Sequence, residues 1–224
     1  SVDTLGICNK DSLLVIVPMF HANAWGTPYA APMSGAKMVF PGPHLDGESL
    51  VELIENEDIT VSAAVPTVWL GILQYLKKTG KKLGTLERVA IGGTAAPPIM
   101  VRTLQEEYGV QVCHAWGMTE MSPLGTTGVL KKDSLSLPKE EQDKLQEKQG
   151  RGIYGVEMKI VDDNGLELPR DGVAFGNLMV RGPWIASRYF KDEGGEVLDP
   201  DGWFPTGDVA TLDSEGYMQI TDRD

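Results

Sequence analysis

Residues 88–120 read RVAIGGTAAPPIMVRTLQEEYGVQVCHAWGMTE. Arg88 to Ile91 is strand-like, and Gly92-Gly93-Thr94-Ala95-Ala96 is a loop of small residues. Pro98 suits the first turn of a helix, where its missing N–H costs nothing, and that helix closes near Tyr108-Gly109. Val110 to Ala115 is the next strand. A strand, a helix and a second strand of this spacing make a parallel pair with a right-handed crossover. The stretch therefore predicts an α/β fold.

Toward the N-terminus the same alternation continues. Leu13 to Val17 is an unbroken apolar run ending at Pro18, which suits a strand buried on both faces. Lys37 to Phe40 is a short strand, Glu48 to Asn56 a helix with Leu50, Val51, Leu53 and Ile54 on one side, and Thr60 to Val65 another strand. After Pro66, apolar Val68, Trp69, Ile72, Leu73 and Leu76 recur at helical spacing, and Lys77, Lys78 and Gly80 supply a cationic end and a left-handed stop. The expected result is a mostly parallel sheet with flanking helices over residues 1–128.

Toward the C-terminus the pattern changes. Residues 131–149 are highly charged, with Pro138 at a helix start and Glu140 and Lys144 one turn apart, as in a solvated connector over 129–150. From Gly150 the period becomes two. Val156, Met158 and Ile160 run into the Asp162-Asp163-Asn164-Gly165 turn, Leu178 and Val180 alternate likewise, and Asp213-Ser214-Glu215-Gly216 turns into a strand from Tyr217 to Thr221. Residues 151–224 thus read as a small antiparallel, β-barrel-like subdomain.

Composition narrows the function. The 224 residues are 42% hydrophobic and 23% charged, ordinary for a globular protein. Acidic residues outnumber basic ones 32 to 20, a net charge of −12 that repels nucleic-acid phosphates. An anionic ligand stays open, because backbone N–H groups and a bound metal supply local positive potential. No apolar run reaches the length of a membrane span. Cys8 and Cys113 read as two reduced core thiols of a cytoplasmic protein.

Four segments offer chemistry. His114-Ala115-Trp116-Gly117-Met118-Thr119-Glu120 leaves a strand at the sheet edge where open α/β folds bind ligands. It supplies an aromatic face, a glycine for close approach, a hydroxyl and a carboxylate; a turn around a buried Trp is the plainer reading. Gly92 to Ala96 lets backbone approach a planar or anionic ligand, or serves tight helix–sheet packing. Thr206-Gly207-Asp208 reads as a glycine turn whose Asp accepts from sugar hydroxyls or from local amides. Pro18 to Pro28, PMFHANAWGTP, offers His21 or Asn23 to a ligand carboxylate and Trp25 to an apolar wall.

The order and identity of these segments resemble one family, the adenylate-forming enzymes. Trp116-Gly117-Met118-Thr119-Glu120 is similar to its aromatic-Gly-x-Thr-Glu motif, Gly93-Thr94-Ala95-Ala96-Pro97 to its adenine-site loop, Thr206-Gly207-Asp208 to its ribose motif, and Ile220-Thr221-Asp222-Arg223 to the start of its hinge motif. PMFHANAWGTP is close to medium- and long-chain fatty-acyl-CoA synthetases. The resemblance implies that a carboxylate attacks the α-phosphate of ATP and that coenzyme A then displaces AMP. It implies that Trp116 and Gly117 meet adenine opposite the Gly92, Gly93, Thr94, Ala95 and Ala96 backbone, with His114 near the adenine amino group. Thr119 would bond the α-phosphate, Glu120 would bind Mg²⁺, Asp208 and Arg223 would hold ribose, His21 would lie near the substrate carboxylate, and Trp25 and Met118 would wall the acyl pocket. Position 116 departs from the family's usual Tyr, and position 114 from its usual Asn or Gln. A homodimer is a further expectation, as is inactivity of this chain alone, since the phosphate loop and the lysine-bearing C-terminal domain are not among its residues. A CoA ligase for a short acid such as methylmercaptopropionate, or a non-catalytic nucleotide-binding module, is the alternative.

Overall fold

In the computed structural model, residues 5–223 are described, the side chain of Arg223 excepted. The chain divides into two units, Ser1–Ala115 and Trp116–Asp224.

The first unit holds five strands, β1 (Ser12–Val15), β2 (Lys37–Val39), β3 (Val61–Ala64), β4 (Arg88–Ile91) and β5 (Gln111–Gly117, whose last two residues belong to the second unit). All pair in parallel, in the order β2-β1-β3-β4-β5. Successive side chains point to opposite faces, so an unbroken apolar run feeds two cores. Leu14 packs with Leu50, Ile54, Trp69, Ile72, Leu76 and Leu104 from three helices on one face. Leu13 and Val15 pack with Ala30 and Ala31 on the other.

The helices are Thr27–Ser34, Gly47–Asn56, Pro66–Thr79 and Pro98–Glu106. Asp46 caps the second, its carboxylate accepting from the Ser49 N–H at 3.0 Å. Gly80 ends the third in a left-handed conformation at φ +72°. The Thr27–Ser34 helix was not legible, because Pro28 and Pro32 argue against a helix. Pro28 sits in its first turn, where a proline fits, but Pro32 lies inside it.

One network ties the N-terminal ends of the strands. Asp11, buried at 5% exposure, accepts from the Cys8 N–H, the Thr60 hydroxyl and the Arg88 guanidinium at 2.7–2.8 Å. Burial pushes its carboxyl pKa up, but these donors together hold it below the usual range. The expectation of two core thiols holds for Cys113 only; Cys8 is exposed, because its apolar neighbour Ile7, and not Cys8, enters the core.

The second unit holds β6 (Leu124–Thr127), β7 (Gly150–Gly152), β8 (Glu157–Val161), β9 (Phe175–Arg181), β10 (Phe204–Leu212) and β11 (Tyr217–Arg223). All are antiparallel, in the order β6-β7-β11-β10-β9-β8. One apolar face gathers Met158, Ile160, Leu178, Val180, Phe204, Ala210, Leu212, Met218 and Trp116. The charged stretch forms a helix at Lys139–Glu147 with no buried residue, and Lys144 pairs with Glu140 at 2.9 Å. The α/β class, parallel sheet first and antiparallel part second, is thus as expected, and among the described residues no helix is long and apolar enough to cross a membrane.

Candidate active site

In the first unit the small-residue loop, Ala115 of β5 and Trp25 of the PMFHANAW segment converge. Ala22 to Trp25 follow β1 with φ of 44°, 52°, 50° and 55°, four successive non-glycine residues in the left-handed region. Each such residue costs about 1–2 kcal/mol. The turn is held by the buried Thr27 hydroxyl, which donates to the Ala24 carbonyl at 2.7 Å. It delivers the half-buried Trp25 ring to the loop after β4. A methyl group on Gly92 would lie 3.4 Å from Trp25 Cη2 and only 2.8 Å from the Ala115 carbonyl oxygen. A side chain at 92 would therefore close the approach that the Gly-Gly sequence keeps open.

His114 is 2% exposed, and its Nε2 accepts the Ala96 N–H at 3.2 Å. The ring is thus the neutral tautomer with its proton on Nδ1. It anchors the loop whose Gly93, Thr94 and Ala95 are exposed. His21, by contrast, is exposed ahead of the left-handed turn.

In the second unit Trp116 is 7% exposed and Asp208 2%. The indole Nε1–H donates to Asp208 Oδ2 at 2.9 Å, joining residues 92 apart in sequence. Thr206-Gly207-Asp208 is not a turn, as its glycine suggested, but the middle of strand β10. Residues 204, 206, 208, 210 and 212 are all buried on one face, and Gly207 takes φ +74° where the register with β9 is interrupted. Asp208 is a cross-strand partner of Arg223 in the β10–β11 ladder. Arg223's side chain lies outside the described residues.

Gly117 is required by a close approach. The Met118 N–H donates to the Pro123 carbonyl at 2.9 Å, and a Cβ on Gly117 would fall 1.9 Å from that same oxygen. The chain then makes a 3-10 turn over Thr119–Met121. Thr119 is exposed, while Met118 packs half-buried against the second unit's core. Glu120 is half-buried, and the Tyr189 hydroxyl donates to its Oε1 at 2.8 Å. That bond to a carboxylate pushes the Tyr189 phenol pKa up. The other Glu120 oxygen takes no hydrogen bond from the described residues. Tyr189 is absent from the motifs and had no signal in the sequence.

Among the described residues no three His, Cys, Asp or Glu side chains gather as a metal cage. The Glu120 oxygen left without a hydrogen bond is a hard donor of the kind that would suit Mg²⁺, which is commonly held by one or two carboxylates with waters and phosphates. A cavity of about 480 Å³ in the second unit, lined by Arg151, Arg170 and Trp203, touches none of the expected site residues.

A family model described as AMP-binding enzyme matches residues 2–190. The chain belongs to that family. Among other members, it is 55% identical over 221 residues to a 3-methylmercaptopropionyl-CoA ligase of Ruegeria lacuscaerulensis, covering 99% of this chain and 41% of the relative. It is 51% identical over 221 residues to a medium-chain-fatty-acid–CoA ligase of Ectopseudomonas oleovorans, covering 99% and 40%. A solved long-chain-fatty-acid-CoA ligase from Archaeoglobus fulgidus superposes with a TM-score of 0.81 at 28% identity, covering 99% of this chain and 45% of that one. The chain spans about two fifths of the length of these curated relatives.

Proposed function

We propose that the chain carries nucleotide- and acyl-binding walls of an ATP-dependent fatty-acid–CoA ligase. The observation that supports this best is the buried Trp116–Asp208 hydrogen bond, which brings together two motifs 92 residues apart. Chance polar residues in a turn would have no reason to meet in a core, where an unpaired carboxylate is costly.

In this reading a fatty-acid carboxylate attacks the α-phosphate of ATP, pyrophosphate leaves, and the thiol of coenzyme A then displaces AMP. The Gly92–Ala96 backbone, held by His114, and the Trp116-Gly117 pair meet adenine. Asp208 and Arg223 bind the ribose hydroxyls, and Trp116 orients the Asp208 carboxylate for them. Thr119 donates to the α-phosphate. Glu120 would hold Mg²⁺, which supplies positive charge to the phosphates as negative charge builds there. Trp25 and Met118 wall the acyl chain, with His21 toward its carboxylate. By function the chain then divides at 128 and 150, and the enzyme is cytoplasmic and homodimeric.

The 55% identity to a 3-methylmercaptopropionyl-CoA ligase supports a second reading, in which the acid is short and carries a thioether. Calorimetry of the chain with AMP and with non-hydrolysable acyl-adenylate analogues tests both. The expected result is binding that strengthens from methylmercaptopropionyl to medium-chain acyl and drops at least tenfold in Asp208→Asn. The reverse chain-length order favours the second reading, and no binding to any analogue by a folded chain sinks the site.

A further inference from the structure

Resting on the reading of Glu120 as the cation's carboxylate, we propose that Tyr189 is its positioning residue, holding one oxygen in place so that the other is the one available to a divalent cation. Three hydrogen bonds carry the argument. The Ala186 N–H donates to the Glu120 carbonyl at 2.7 Å. The Ser122 hydroxyl donates to the Trp184 carbonyl at 3.0 Å. The Tyr189 hydroxyl donates to Glu120 Oε1 at 2.8 Å.

The segment 184–189 is therefore tied to the Thr119–Met121 turn and its cap Ser122 through the Ala186 N–H and the Trp184 carbonyl before the phenol arrives. A tyrosine anchored in this way has little freedom left, so its hydroxyl selects one orientation of a carboxylate that would otherwise sample several rotamers. The bond is charge-assisted and short. It lies at a surface, with Tyr189 41% exposed, where such bonds add little to folding stability. Orientation is what it contributes. Groups that hold a metal's ligand from behind characteristically set the affinity of the site without touching the ion.

A lone carboxylate needs this support more than one in a cage does. Among the described residues no group of three or more His, Cys, Asp or Glu side chains forms a cage, so a full set of protein ligands does not fix the angle at which Glu120 presents its oxygen.

Mn²⁺ serves as the probe, its binding to the 224-residue chain in the presence of ATP followed by electron paramagnetic resonance. Tyr189→Phe removes only the hydroxyl and should weaken Mn²⁺ binding about tenfold, the low end for a lost support of this kind, with the melting temperature unchanged. Tyr154→Phe, which removes an exposed phenol hydroxyl with no bond to Glu120, should bind Mn²⁺ within about twofold of the wild type. Glu120→Gln should abolish the site. Wild-type affinity in Tyr189→Phe alongside loss in Glu120→Gln overturns the positioning role and leaves Glu120 as ligand. Equal binding in wild type and Glu120→Gln, or no bound Mn²⁺ in the folded wild type, removes the cation reading and this proposal with it.

Discussion

The Trp116–Asp208 bond can be measured without any ligand. The donor and acceptor are 2.9 Å apart, and both side chains are nearly inaccessible to water. A hydrogen bond to a charged group contributes about 1.5–3 kcal/mol. Trp116→Phe deletes the donor and leaves a buried carboxylate one bond short. The smaller ring also loses apolar burial worth about 1 kcal/mol at ~25 cal/mol/Å². The expected loss is about 3 kcal/mol, read as a shift in the urea midpoint followed by far-UV circular dichroism. Packing and hydrogen bonding are separated by a double-mutant cycle with Asp208→Ala. Packing lost at Trp116 recurs in the double mutant and cancels, so a coupling of about 1.5–3 kcal/mol should remain. A coupling below about 0.5 kcal/mol would falsify the pairing, and with it the idea that Trp116 orients the ribose aspartate.

Two further outcomes follow from other parts of the molecule. The Asp11 carboxyl has its pKa lowered by its three donors, so its contribution to stability is complete above the unfolded value of about 3.9 and is lost as pH falls through the folded one. Asp11→Asn should cost about 1.5–3 kcal/mol at pH 7 and progressively less toward pH 3; thermal melting across that range checks it, and an unchanged difference would show that the charge is idle. Gly117→Ala places a methyl 1.9 Å from the Pro123 carbonyl and should cost at least about 1–3 kcal/mol by overpacking, while Gly71→Ala, with open space around the added methyl and no left-handed φ, serves as the control; equal melting temperatures for the two variants would refute the close approach.

The fold was readable wherever burial wrote a period into the residues. Leu13 to Val17 is apolar throughout because both faces of β1 are covered, and Val156, Met158 and Ile160 alternate because one face of the antiparallel sheet is not. It was unreadable where inward positions are polar. β10 places Thr206 and Asp208 among its buried residues, so the alternation that marks a strand is hidden behind a glycine that suggests a turn. The Thr27–Ser34 helix was masked by its two prolines. Exposed Cys8 was misread because apolar neighbours do not say which face of a segment a side chain takes.

The candidate site shows the same boundary. Sequence by itself determined which residue types are available, the order of strand, small-residue loop and helix, and, through the motifs of residues 92–97, 114–120 and 206–208, the family. Those are local properties, set by spacing and side-chain chemistry. Only the tertiary structure decided who meets whom. It joined Trp116 to Asp208, turned His114 inward to hold the Ala96 N–H, curled Ala22–Trp25 left-handed so that Trp25 reaches the Gly92 backbone, and set Tyr189 against Glu120. Each of these contacts needs residues 18 to 92 apart to be packed together, and their payoff comes from excluding water around paired polar groups. No local pattern encodes that, because the cost of an unpaired buried charge appears only once the chain has closed around it.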